Sequence, residues 1–491
     1  MITNCNSWLA KKVLKNWNSN SKKIYCYENN QSFTGVDLLK KIKILDKTIK
    51  KNYQKKSVVF MNGINSVNWV CAYLLFKIHN FHIVMIPSSI TRDNYNFLLN
   101  FIKPNIIFQK NNISFFNKKK SKLENILKEK KITLKNLSYE FLFTTGTTSL
   151  PKGVCIPEAS YLATARNLIK LFKQSKKDNE LLSMPFSHSF GLTRLRCCLI
   201  TGQKIYITDG LKNFPAIYNN LIKYNVNGLS LVPSAIELIK LLLKKKIKNF
   251  SSTVKYFEIG SSSISLKSRR WLQQNFKKTN IQHHFGSTEA SRSFFAARGS
   301  RDNFNLSSNY IGKKVIYIKY RLLDPKTKKV NQYFGEMEIS GKNLAIGYFC
   351  GEEVEENAFA KKWFKTSDIV TYKNKLLYFL GKKNSIINIG GNKILPEEIE
   401  EKIELIKEVK VSLCGPAKDI IFGQKVAAMI VLKKNTRKNR QNVMSKIYKL
   451  FLNDPFFKKP KVIKFLDKIQ ISNNGKKKRI KSYFNQLLRS K

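Results

Sequence analysis

The chain has 491 residues, 43% of them hydrophobic and 12% aromatic, which excludes a disordered or fibrous class and allows two or three folding units around a large core. Lys and Arg number 90 against 32 Asp and Glu, a net charge of +58. No nucleic-acid module or arginine-rich patch accompanies that charge, so it reads as a bias spread along the whole chain, with non-specific attraction to anionic surfaces as its consequence and no specific nucleic-acid partner.

In chain order, residues 1–9 are polar and lack the apolar core of a leader. No later stretch approaches the roughly 18 apolar residues of a membrane span. The eight cysteines show neither a CxxC pair nor metal-ligand spacing, which suits a reduced compartment. A cytoplasmic location is expected. Residues 57–61 read as a strand, after which Trp69, Ala72, Tyr73 and Phe76 repeat at helical spacing. A second strand at 82–86 ends at Pro87, and segments 106–108 and 140–143 continue the series. Leu162, Ala165, Ile169 and Phe172 mark a helix; strands follow at 205–208, 229–232 and 254–259, the last two separated by a helix carrying Ile236, Ile239 and Leu243. This alternation implies mostly parallel sheets covered by helices.

After about residue 310 the rhythm shifts to short strands at 315–323, 336–340 and 369–379, a small β-rich subdomain of about 310–380. From 381 onward a helix with Ile399, Ile403 and Ile406, strands at 409–413 and 425–432, another helix and a basic tail compose a compact α+β unit. The expected fold class is α/β: a large domain over 1–380 with helix-covered, mostly parallel sheets and the β-rich subdomain, and a small mobile α+β domain over 381–491. The lysine-rich stretches 118–131 and 240–248 read as solvated helix faces.

Strand 140–143 runs into Thr144-Thr145-Gly146-Thr147-Thr148-Ser149-Leu150-Pro151-Lys152-Gly153. Hydroxyls and unencumbered N–H groups in one tight loop suit a polyphosphate, Gly146 frees the backbone, and Lys152 adds a mobile cation. The Walker A spacing is absent. Four further segments follow along the chain, joined by Met184-Pro185-Phe186-Ser187-His188-Ser189-Phe190-Gly191-Leu192. They are Phe285-Gly286-Ser287-Thr288-Glu289, Trp363-Phe364-Lys365-Thr366-Ser367-Asp368, the run from Gly381-Lys382-Lys383-Asn384 through Gly390-Gly391 to Pro396-Glu397-Glu398-Ile399-Glu400, and Asn474-Gly475-Lys476-Lys477-Lys478-Arg479.

In this order the segments resemble the AMP-forming adenylating superfamily, that of acyl-CoA synthetases, carrier-protein adenylation domains and luciferases, and most resemble the acyl-CoA ligases. The resemblance runs from about residue 33 to 479. It implies that Thr144, Thr145, Gly146, Thr147, Thr148, Ser149 and Lys152 hold the ATP phosphates, with Phe285 and Gly286 against adenine. Glu289, beside Thr288, would bind the magnesium ion that accompanies ATP, since hard cations take carboxylate and phosphate oxygens. Asp368 would accept bonds from the ribose diol, with Lys382 where an arginine is usual. By the same resemblance Asn384 is a hinge, Gly391 lies along the pantetheine arm of coenzyme A, and Lys476 is the adenylation lysine. His188, Gly260 and Ser261 would line the acyl pocket. Ser149 and Lys382 depart from the pattern, Ser367 stands where glycine is usual, and Phe285 lacks the usual tyrosine hydroxyl.

The implied reaction couples Mg-ATP and a small-molecule carboxylic acid into an acyl-adenylate and pyrophosphate. Coenzyme A then displaces AMP as a thioester. An acyl carrier protein's phosphopantetheine stays open as the acceptor, as does a non-catalytic nucleotide-binding relative. The acid is expected to be fatty or aryl and without an α-amino group, because Phe186 to Phe190 offer no carboxylate for a buried ammonium.

Overall fold

The computed structural model describes residues 5–50, 57–117, 119–130, 132, 138–144, 152–211, 213–243, 247–297, 309–325, 327–351, 358–389, 392–470, 477 and 484. The chain divides into two compact units, one of Met1–Lys319 with Ile339–Phe364, the other of Tyr320–Glu338 with Lys365–Lys491.

The first unit carries two large sheets. A seven-stranded sheet is ordered Gly347–Cys350, Gly153–Pro157, Tyr139–Phe143, His82–Met85, Val58–Met61, Ile106–Gln109, Asn112–Phe115. Its centre is parallel, with Val58 beside His82 and Ile83 beside Glu140, whereas Gly153–Pro157 and Asn112–Phe115 pair antiparallel. The nine-stranded sheet has a parallel centre, Asn280–Phe285, Tyr256–Ile259, Gly228–Leu231, Asn179–Leu182 and Lys204–Ile207, and antiparallel edges. Strands Val58–Met61, His82–Met85, Asn179–Leu182, Gly228–Leu231 and Tyr256–Ile259 are buried at every position, as parallel strands covered on both faces are.

Two helices of this unit have almost no exposed face. Every residue of Val67–Ile78 except Asn68 is buried, as is every residue of Ser189–Thr201 except its two ends. Helix Ser189–Thr201 escapes sequence reading because burial all round erases the amphipathic stripe. Its two arginines face opposite sheets. Arg196 pairs with Glu140 of strand Tyr139–Phe143, and Arg194 pairs bidentately with Glu180 of strand Asn179–Leu182 at 2.7 and 2.6 Å. Helices Trp8–Ser19, Gly35–Lys50 and Arg92–Ile102 are likewise outside the sequence expectation, although Ser7 and Thr91 cap two of them through their hydroxyls.

Strands expected at 336–340, 409–413 and 425–432 extend beyond those bounds, to Phe334–Gly341, Val409–Asp419 and Gly423–Leu432, and one turn lies concealed in an expected strand. The stretch read as 369–379 is a hairpin of Phe364–Lys373 and Leu376–Lys382, turned through Asn374 and Lys375 at positive φ. The expected strand 315–323 begins only at Ile318. Farther on, strands Val409–Asp419, Gly423–Leu432 and Val462–Leu466 form one sheet, and helices Pro396–Glu404 and Arg437–Leu450 cover it through Ile399, Ile403, Val443 and Ile447. Pro396 starts its helix with Glu397 and Glu398 in the first turn, a favourable start against the helix dipole. Of the lysine-rich stretch at 240–248, residues 240–243 end helix Pro233–Leu243 and residues 247–248 begin helix Ile247–Thr253, with Lys240 paired to Glu237; residues 244–246 lie outside the described residues.

Candidate functional site

The segment read as a phosphate loop connects two antiparallel strands. Strands Tyr139–Phe143 and Gly153–Pro157 pair antiparallel up to Phe143 beside Gly153, and the Thr144 N–H donates to the Lys152 carbonyl at 2.9 Å. That bond closes the base of the loop. A side chain at Gly153 would lie 2.2 Å from the Phe349 ring, so the close approach of strand Gly347–Cys350 requires glycine there. Thr145, Gly146, Thr147, Thr148 and Ser149 lie outside the described residues.

Three other segments read from the sequence meet at the ends of neighbouring elements. Phe285 ends strand Asn280–Phe285, and Gly286, Ser287 and Thr288 form the turn after it, held by the Ala290 N–H bond to the Ser287 hydroxyl. Glu289 is buried; its Oε1 accepts the Tyr348 hydroxyl at 2.6 Å, and Oε2 has no partner among the described residues. The described residues hold no group of three His, Cys, Asp or Glu side chains placed to bind a metal ion by themselves. One carboxylate with a free oxygen fits a magnesium ion carried in on nucleotide phosphates, which supply the remaining ligands. Gly260 and Ser261 follow strand Tyr256–Ile259, with Ser261 at φ +75°. His188 is the residue before helix Ser189–Thr201 and is buried without a recorded side-chain partner among the described residues.

Arg292 joins these segments. Its guanidinium donates to the Ser189 carbonyl at 3.1 Å, the Phe190 carbonyl at 3.0 Å and Glu258 Oε1 at 3.0 Å. Glu258 stands two residues before Gly260, and its Oε1 also bonds His284 Nδ1 at 2.6 Å while Oε2 faces Arg194 at 3.3 Å. Burial pushes the Glu258 carboxyl up, but Arg292, the His284 bond and Arg194 outweigh that and hold it well below the usual carboxylate range. His283, on the other face of the same strand, bonds the Ser262 carbonyl through Nε2 at 3.0 Å and meets Arg269 at Nδ1. Sequence reading missed Glu258, His283, His284 and Arg292. The consecutive histidines before Phe285 were the available signal; partners more than twenty residues away were not.

Burial lowers His188 from 6.5 to about 4. The folded state thus binds fewer protons than the unfolded chain between these values, so this contribution to stability is complete above pH 6.5 and lost as pH falls toward 4. The loss is about 3 kcal/mol at most over that window. His283, lowered to about 3 by burial and then by Arg269, acts in the same direction. Urea midpoints at about pH 7.5 and about pH 5 should therefore differ, and His188→Asn should reduce the difference. An unchanged pH dependence in that variant would contradict the burial argument.

In the second unit Asp368 and Lys382 stand opposite each other in the hairpin, Lys382 Nζ lying 2.6 Å from Asp368 Oδ1 and donating to the Thr366 carbonyl at 2.9 Å. Ser367, between Thr366 and Asp368, has φ +57°. The backbone there keeps the left-handed form that glycine adopts freely, at a cost of about 1–2 kcal/mol for an L-residue. Ser367→Gly is expected to raise stability by up to about 1 kcal/mol, the strain relief being offset by the extra freedom of unfolded glycine. A thermal melt shifted downward by the substitution would contradict this. Asn384 lies in the short turn Lys383–Ser385. Gly391 and Lys476 lie outside the described residues, while Lys477, one position on, bonds Glu400 at 2.9 Å and Glu404 at 2.7 Å on helix Pro396–Glu404.

The chain is similar to known proteins over most of its length. The family model described as AMP-binding enzyme matches residues 14–349. The chain is 25% identical over 374 residues to the oxalate–CoA ligase of Saccharomyces cerevisiae, covering 74% of this chain and 65% of the yeast enzyme, so it spans less than two thirds of that relative's length. It is 22% identical over 411 residues to the D-alanine–D-alanyl carrier protein ligase of Staphylococcus epidermidis, covering 80% of this chain and 82% of that one. Among solved structures it shares the fold of o-succinylbenzoate CoA synthetase from Bacillus subtilis, in complex with its acyl-adenylate intermediate, with a TM-score of 0.79, 18% identity and 98% of each chain covered. No helix among the described residues is long and apolar enough to cross a membrane.

Proposed function

We propose, for a chain that belongs to the AMP-binding enzyme family, that it activates a carboxylic acid with ATP and passes the acyl group to coenzyme A. The observation that carries this reading is the junction at Arg292. One side chain binds the 188–190 segment and the strand leading to Gly260, three residues after Glu289, so the segments read as acid-binding and nucleotide-binding lie at one place.

In the first step the acid's carboxylate attacks the α-phosphorus of ATP and pyrophosphate leaves. The charge that builds on the phosphates is met by the loop from Thr144 to Lys152 and by Lys476, and Glu289 would hold the magnesium ion, which supplies further neutralising charge. A buried, neutral His188 at the start of helix Ser189–Thr201 suits a carboxylate, which the positive end of a helix attracts. Asp368 and Lys382 would engage the ribose. In the second step the thiol of coenzyme A attacks the acyl carbon and AMP departs. Rotation of a domain over 381–491 about Asn384, with Gly391 beside the pantetheine arm, would admit it. A cytoplasmic location agrees with eight buried, unpaired cysteines.

Two features of the acid are part of this reading: a fatty or aryl body, and no α-amino group. The likeness to a carrier protein ligase keeps a second acceptor in view, a carrier-protein phosphopantetheine. AMP release measured over a panel of fatty, aryl, small and amino acids, with free coenzyme A or a carrier protein as acceptor, tests both points. Thioester formation on coenzyme A from a non-amino acid supports the proposal; consistent preference for an amino acid, or transfer to carrier protein alone, would replace it.

A further inference from the structure

His284 belongs to none of the segments that point to adenylation, yet its ring occupies the same place as the acid-binding ones. It is the penultimate residue of strand Asn280–Phe285, and its ring meets that of Phe190 edge-on at 4.9 Å between centroids. Its other edge lies over Gly260. A methyl group at Gly260 would fall 1.9 Å from Cε1 and 2.2 Å from Nε2 of His284, so the absence of a side chain at Gly260 is what gives the imidazole its position.

The tautomer follows from the partners. Glu258 Oε1 lies 2.6 Å from Nδ1, and an ionised carboxylate only accepts hydrogen bonds, so Nδ1 carries a proton. Glu258 is kept ionised by Arg292 at 3.0 Å and Arg194 at 3.3 Å. In a neutral imidazole Nε2 is then left as a lone-pair acceptor. Burial, opposed by the Glu258 bond but reinforced by Arg292 and Arg194, lowers the pKa of this histidine and keeps the ring neutral. The side chain is only 9% exposed, and Nε2 has no donor among the described residues. A donor that reaches this mostly covered nitrogen replaces its contact with solvent by a direct hydrogen bond.

We propose that His284 is a specificity-determining residue of the acid site: its Nε2 accepts a hydrogen bond from a hydroxyl or amide N–H on the acyl portion of the substrate, so that the preferred acid carries a neutral donor. This rests on the reading of His188, Gly260 and Ser261 as the acid pocket. A cationic ammonium finds no free carboxylate there, since Glu258 and Glu180 are already paired with Arg292 and Arg194.

The test uses the full chain in acid-dependent ATP–pyrophosphate exchange with matched acids: an aryl and an alkyl series, each member offered unsubstituted, hydroxylated at one position, or as the methyl ether of that hydroxyl. The wild-type protein should show kcat/KM about tenfold or more higher for at least one hydroxylated acid than for both its partners, since a site built around a hydrogen bond rejects analogues that lack it. In His284→Leu the hydroxylated-to-unsubstituted ratio should fall to about one whatever the variant's overall rate, and His284→Gln, which keeps an acceptor, should restore part of the preference. Melting curves of both variants separate a lost contact from a lost fold, and the wild-type ratio stands without either variant. Preference for unsubstituted acids at every position, or a hydroxyl preference unchanged in His284→Leu, would overturn the assignment. Exchange with none of the acids would overturn the adenylation reading itself, a different and separately recognisable result.

Discussion

Lys476→Ala is expected to lose acid adenylation by about a hundredfold or more while forming thioester from supplied acyl-adenylate at close to the wild-type rate. The lysine's ammonium neutralises charge between the acid and the α-phosphate, and that charge develops only in the first transition state. Bound equally in ground and transition states it would alter affinity without altering turnover; acting in one step only, it separates the two half-reactions. The neighbouring Lys477, held by Glu400 and Glu404, offers an internal control because its charge is already spent within the second unit. ATP–pyrophosphate exchange reads the first step, and coenzyme A consumption with synthetic acyl-adenylate reads the second. Equal loss of both would contradict a two-step scheme in which Lys476 serves the first.

Arg194→Met is expected to destabilise the fold by about 3–5 kcal/mol, because removal of one partner strands buried charge of the opposite sign. Arg194, Glu180 and Glu258 have fully buried side chains. Arg194 grips Glu180 with two bonds, and its remaining nitrogen faces Glu258, so the substitution leaves Glu180 with hydrogen bonds from Tyr256, Ser230, Gln174, Gln203 and Cys198 but no cation within ion-pair distance among the described residues. Glu258 retains Arg292 and His284. A second substitution, Glu180→Gln, removes the stranded charge and should recover part of the loss. Urea denaturation of the two single variants and the double one measures this coupling directly. A loss under about 1 kcal/mol for Arg194→Met would mean that water or rearrangement satisfies Glu180, contrary to its burial.

The features that sequence made legible are those written in short runs of neighbouring residues. Strand 82–86 and the helix begun by Pro396 carry their pattern locally, and the structure places them where that pattern indicates, whereas strand Gly153–Pro157, which makes a hairpin with Tyr139–Phe143, escapes sequence reading. Asp368 and Lys382 came from separate segments, and a cross-strand register brings them together. The features that stayed hidden depend on distance in the chain. Helix Ser189–Thr201 has no polar face to betray its period, since Arg194 and Arg196 are buried against carboxylates from two different sheets. Glu258, His284 and Arg292 look like scattered polar residues until the topology sets strand Tyr256–Ile259 beside strand Asn280–Phe285. The turn at Asn374 and Lys375 was concealed because neither residue is a glycine or proline, yet both adopt positive φ.

The most direct measurement of the central claim is acid-dependent ATP–pyrophosphate exchange by the wild-type chain, run with magnesium and with the same panel of acids. Labelled pyrophosphate should enter ATP only when a carboxylic acid is present, and fastest with a non-amino fatty or aryl acid. A chain that binds ATP but exchanges no pyrophosphate with any acid would contradict adenylation and leave nucleotide binding alone as its function.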